Sequence, residues 1–101
     1  MKISLLSLLF TLVTVTLFAD EKMQLGLDIY NNKSMCGNCH TLQAAKSVGQ
    51  IGPNLDMLKP QLAQIINAVT NGIGVMAPWD GILTTEEIEA VAYYVFISTS
   101  N

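Results

Sequence analysis

The chain has no arginine, one histidine, two cysteines and three prolines among its 101 residues, and only 13% of them are charged. Five lysines against eight acidic residues offer no basic stripe for phosphates, which argues against a nucleic-acid partner. Two cysteines and one histidine are too few for a zinc site of the usual Cys and His ligands, so carboxylates would have to complete one. The cysteines are not flanked by the strand and helix pattern that a thioredoxin-like dithiol requires. No internal repeat, low-complexity tract or second domain is visible.

What is there begins with an apolar run. Lys2 precedes Ile3 to Phe18, which is interrupted only by Ser and Thr, and Ala19 then leads into Asp20-Glu21-Lys22. This is the layout of a secretory signal peptide spanning 1–19, with cleavage expected after Ala19. Leu17 departs from the small residue usual at the third position before a cut. An uncleaved membrane anchor is the rival reading, but a run of about 16 residues with five hydroxyl side chains is short for a bilayer. Residues 20–101 then form one domain of 82 residues with four lysines and eight acidic residues, a net charge of −4. That size is near the lower limit for a self-sufficient core, so a bound apolar cofactor would supply missing mass and the cofactor-free chain is expected to be largely unfolded. Export implies a periplasmic protein.

The candidate site is Cys36-Gly37-Asn38-Cys39-His40. Two thiols three positions apart with an imidazole directly after the second match a covalent attachment site for c-type haem, each thiol adding across one vinyl group and His40 reaching the iron from one face. A disulfide between Cys36 and Cys39 would close a very short loop and leave His40 without a purpose.

Around that motif the chain reads as helices. Met23, Leu27 and Tyr30 share one face of a helix over Glu21 to Asn32. Gly26 within it either marks the close approach of another backbone or is a weak point costing about 1 kcal/mol relative to Ala. Thr41 to Asn54 reads as a loop on the His40 side, and a carbonyl at or beside Pro53 is suited to hold the second imidazole nitrogen. Pro60 opens the next helix at its first position, Leu62, Ile65, Ile66 and Val69 form its stripe, and Asn71-Gly72 closes it. A glycine-flanked extended loop carries Met76, the expected second axial ligand, with Met57 its competitor. Trp79 either packs on the haem edge with its N–H toward a propionate or fills core. Thr84 and Glu87 form a capping box for the last helix, whose buried face is Ile88, Val91, Ala92, Val95 and Phe96, with Tyr93 and Tyr94 on its flanks.

Taken together, the mature chain resembles the small monohaem class I cytochromes c, of the bacterial c553 and algal c6 type. The marks are Gly26 and Tyr30, Cys36-Gly37-Asn38-Cys39-His40, Gly52-Pro53-Asn54-Leu55, Met76, and Leu83 through Val95. The resemblance implies an all-α fold, about four short helices wrapped around one covalently bound haem c. It further implies that the first and last helices cross near Gly26 with Tyr94 at the contact, that Tyr30 belongs to the packing around the haem, and that Pro53 supplies the carbonyl for His40. Ala77 stands between Met76 and Pro78, where the family has proline directly after the methionine.

The function expected is one-electron transfer by iron cycling between ferrous and ferric states, with no substrate site because both axial positions are filled. Partners would be periplasmic or membrane redox proteins, a terminal oxidase or a dehydrogenase, met as a monomer or in a transient complex. A second reading makes the domain the cytochrome subunit of a periplasmic dehydrogenase such as a molybdenum sulfite dehydrogenase, which the segment Met76 to Val95 also resembles. A third, of another class, is a haem enzyme or gas sensor with an open sixth position; the early attachment motif argues against it.

Overall fold

The computed structural model describes residues 17–100. Of the expected leader only Leu17, Phe18 and Ala19 fall among these, and the expected cut after Ala19 lies within helical residues. Helix α1 occupies residues 17–28 and runs into a wider π-type turn, Ile29–Lys33, closed by the Ser34 N–H on the carbonyl of Ile29 at 2.9 Å. This turn delivers Ile29 and Tyr30 into the core, where both are buried. Met35 then adopts a left-handed conformation at φ 49°, which turns the chain sharply into the short 3-10 turn Cys36–Asn38.

The segment expected to be only a loop holds a small hairpin. Strand β1 (Thr41–Leu42) pairs antiparallel with β2 (Ser47–Val48), Thr41 opposite Val48 and Leu42 opposite Ser47. Two-residue strands are too short for alternation to register in a sequence. Leu42 anchors the hairpin with no exposed surface.

Helix α2 is a single turn, Leu55–Leu58, capped by the Asn54 side chain, which accepts from the Met57 N–H at 3.2 Å. Helix α3 is Leu62–Asn71 with Gln61 as its N-cap. Pro60 therefore precedes the cap and does not take the first helical position, because Lys59 in a left-handed conformation must first reverse the chain out of α2. Ile65 and Val69 are buried, with Leu62 and Ile66 partly so, on the expected stripe.

Helix α4, Thr85–Thr99, opens with the capping box: Glu87 N–H donates to Thr84 Oγ1 at 3.1 Å and Thr84 N–H to Glu87 Oε1 at 2.9 Å. Its buried face includes Ile88, Val91, Ala92 and Val95 as expected. Tyr94 is buried as well and does not lie on a flank, while Phe96 is only partly covered. The difference arises from the crossing with α1. A Cβ on Gly26 would stand 2.3 Å from the Ala90 carbonyl oxygen and 2.5 Å from Tyr94 Cβ, so glycine is the condition for the two backbones to touch. Of the two readings of Gly26, close approach is the correct one. Below the crossing, the Tyr30 and Tyr94 rings pack at 6.0 Å between centroids, tilted by 55°, an arrangement worth roughly 0.5–1.5 kcal/mol beyond burial. Lys33 Nζ on Glu87 at 2.5 Å joins the end of the π-turn to the start of α4.

Candidate haem site

The attachment turn lies where α1 hands over to the hairpin. Asn38 N–H bonds to the Met35 carbonyl at 3.1 Å, and Cys39 and His40 N–H groups bond to that of Cys36 at 3.1 and 3.0 Å, so the turn holds its own shape. Both cysteines are unpaired and partly covered. Burial pushes the Cys36 thiol up to about 11, with the neighbouring Cys39 adding to the rise.

A second stretch, 47–53, is laid along this turn. A Cβ on Gly37 would come within 2.6 Å of Ser47 Cβ, and one on Gly49 within 2.6 Å of the Gly37 carbonyl oxygen. Gly52 N–H donates to the Cys39 carbonyl at 2.7 Å, and Thr41 Oγ1 donates to that of Gly49 at 2.9 Å. Such contacts exist only because two backbones can approach without side chains between them.

Against this platform the imidazole of His40 is held by its own contacts. Its Nδ1 lies 2.8 Å from the Pro53 carbonyl oxygen and donates to it, which orients the ring and leaves Nε2 as the nitrogen turned to other partners. The ring packs closely against Gly52, whose Cβ, if present, would meet Cε1 at 2.6 Å and Nδ1 at 3.0 Å. An oriented imidazole whose Nε2 has no hydrogen-bond partner among the described residues, next to two unpaired thiols on a preformed turn, is the donor set that fits a covalently bound haem. Among the described residues no group of three His, Cys, Asp or Glu side chains converges, so the zinc alternative lacks its further ligands.

The methionines differ sharply. Met76 is partly buried and packs against the core, whereas Met57 is 80% exposed and Met35 54%. Met76 does not sit on an extended loop. Ile73 and Met76 exchange both backbone hydrogen bonds, at 3.0 and 2.9 Å, around Gly74 at φ 57°, so the chain doubles back tightly. Gly72 permits this, because a Cβ there would lie 2.6 Å from the Met76 carbonyl oxygen. The return strand is pinned to α3 by Trp79 N–H on the Val69 carbonyl at 2.8 Å, and Trp79 itself packs against the core.

Sequence reasoning missed Ser47. The Tyr30 hydroxyl, deep in the core, lies 2.8 Å from Ser47 Oγ and 3.5 Å from the His40 carbonyl oxygen. Burial pushes that phenol up to about 12, offset in part by the hydrogen bond to Ser47, so it remains neutral. Nothing in the local pattern of the hairpin marks Ser47.

Comparison with known proteins shows the family. Residues 21–95 match the family model described as cytochrome C oxidase, cbb3-type, subunit III. The crystal structure of the c-type cytochrome SorU from Sinorhizobium meliloti is similar at 50% identity and a TM-score of 0.75, covering 79% of this chain and 93% of that one. No curated protein matches the chain. With a preformed Cys36–His40 turn, a class I arrangement of helices and a family match over most of its length, the chain belongs to this family of c-type cytochromes, electron-transfer proteins that carry covalently bound haem c.

Proposed function

We propose that this chain is an exported carrier of one haem, tethered through Cys36 and Cys39, with His40 and Met76 as axial donors, and that it passes single electrons between periplasmic redox partners. The observation that carries the reading is the His40 ring: held between Gly52 and the Pro53 carbonyl, it has one nitrogen left to give. Bound haem supplies the one-electron Fe(II)/Fe(III) couple. The chain's part is to keep its donors fixed, so that a change of oxidation state moves few atoms. Met76 is supported over Met57 by its packing against the core and by the tight turn that fixes its backbone. A thioether donor favours ferrous iron and raises the potential.

The experiment is a visible spectrum and redox titration of holoprotein with Met76→Ala and Met57→Ala variants. Met76→Ala should lose the Met-iron charge-transfer band and drop markedly in potential, while Met57→Ala should keep both; the reverse pattern would transfer the assignment to Met57. Carbon monoxide binding to the reduced wild type at neutral pH would favour the open-site reading instead.

A second reading, the dedicated electron-accepting subunit of a periplasmic dehydrogenase such as a sulfite dehydrogenase, is supported by surface character. Residues 34–79 contain only Lys46, Asp56 and Lys59 as charged side chains, and Val48, Ile51, Met57, Ile73 and Val75 are exposed along it. Exposed apolar side chains on a nearly uncharged segment suit a lasting contact. Co-purification of a large partner from the native source supports this reading, and a lone monomer supports the shuttle.

A further inference from the structure

We propose that Tyr30 and Ser47 act together as positioning residues for His40, an inference that rests on His40 being an iron ligand. Tyr30 leaves α1 on the π-turn with no exposed surface, and its hydroxyl meets Ser47 Oγ at 2.8 Å. Two long contacts extend the pair: Tyr30 hydroxyl to the His40 carbonyl oxygen at 3.5 Å, and Ser47 Oγ to the Leu42 carbonyl oxygen at 3.5 Å. Each hydroxyl has one proton, so two arrangements exist. In one, Ser47 donates to Tyr30 and Tyr30 donates to the His40 carbonyl; in the other, Tyr30 donates to Ser47 and Ser47 donates to the Leu42 carbonyl. Both end on a carbonyl flanking Thr41, so in either case the backbone that bears the imidazole is tied to the helical core.

The pair also touches the attachment turn. A Cβ on Gly37 would lie 2.6 Å from Ser47 Cβ and 3.5 Å from Tyr30 Cε1. His40 is therefore held at both ends, its ring by Gly52 and the Pro53 carbonyl, its main chain by Tyr30 and Ser47. Phenylalanine would fill the core at position 30 equally well. A buried hydroxyl costs free energy unless it is bonded, and here its partners belong to the His40 hairpin, which points to orientation and not packing as its role.

The test uses holoprotein of Tyr30→Phe, Ser47→Ala, the double variant and Ser47→Thr. Two readouts respond to imidazole orientation: the reduction potential, and the spread of the paramagnetically shifted haem methyl resonances in the oxidised protein. Both single variants should shift both readouts in the same sense. The double variant should move them no further than the larger single, as a shared interaction requires, and Ser47→Thr, which keeps the hydroxyl, should return them toward wild type. Lower thermal stability with an unmoved potential and methyl spread would overturn the proposal, as would fully additive shifts. Should Tyr30→Phe yield no holoprotein, the Ser47 variants decide by the same criteria. A wild type lacking a c-type spectrum would refute the carrier function and this inference together; a normally coloured wild type with unresponsive variants refutes this inference alone.

Discussion

Replacing Gly52 by alanine tests the platform under His40 most directly. The backbone there accepts alanine, so the effect is steric: the new methyl would lie 2.6 Å from His40 Cε1, and the ring must withdraw by about 0.8 Å to reach ordinary contact at 3.4 Å. Withdrawal also strains the 2.8 Å hydrogen bond from Nδ1 to the Pro53 carbonyl, which belongs to the same segment. Overpacking of this kind costs about 1–3 kcal/mol. A loss of that size lowers Tm by roughly 5–20 °C in a domain of this size. Thermal denaturation of Gly52→Ala holoprotein followed at the Soret band measures it, and a redox titration should reveal a shifted potential because Nε2 has moved. A Tm within about 2 °C of wild type, together with an unchanged potential, would refute the claim that the imidazole rests on Gly52.

Gly26→Ala should be at least as damaging, because the obstruction is the Ala90 backbone carbonyl at 2.3 Å and not a movable side chain; a loss of about 3 kcal/mol in denaturant melts is expected. The Glu87 carboxyl is held below its ordinary value of 4.5, first by the hydrogen bond from Lys33 and then by that from Thr84. A lowered native value means that its contribution is complete above the ordinary value and is lost as pH falls through the lowered one, so Lys33→Met should flatten the acid limb of a plot of Tm against pH while leaving the neutral limb nearly parallel to wild type. With three charged side chains between residues 34 and 79, electron-transfer rates with the native partner should change less than about threefold between low and physiological salt; a steep fall in stopped-flow rates would show steering by charge.

How much could be read in advance varies with the range of the interaction. The stripe Leu62, Ile65, Ile66, Val69 and the Thr84–Glu87 capping box were legible because helix periodicity and capping are properties of four to eight consecutive residues. The hairpin around Leu42 and Ser47 was not, since each strand is two residues long. The start of α3 lies two residues later than Pro60 suggests, as the left-handed Lys59 that reverses the chain carries no strong local signal. Periodicity alone puts Tyr94 on a flank, because its face depends on where α1 crosses, whereas the family resemblance puts it at that contact, where it lies.

By itself the sequence determined the turn that presents Cys36, Cys39 and His40 and the helices that surround it, since each is encoded in residues near one another along the chain, while the fold class followed from the resemblance to the small monohaem cytochromes c. Only the tertiary structure decided how the Gly52 backbone lies against the imidazole, that Tyr30 reaches Ser47, that Gly26 is the point of contact with Ala90, and that the segment bearing Met76 doubles back. Those outcomes rest on distances of 2 to 4 Å between distant segments. Packing sets such distances, because a glycine, a carbonyl or a hydroxyl acquires its role only from the atom brought against it.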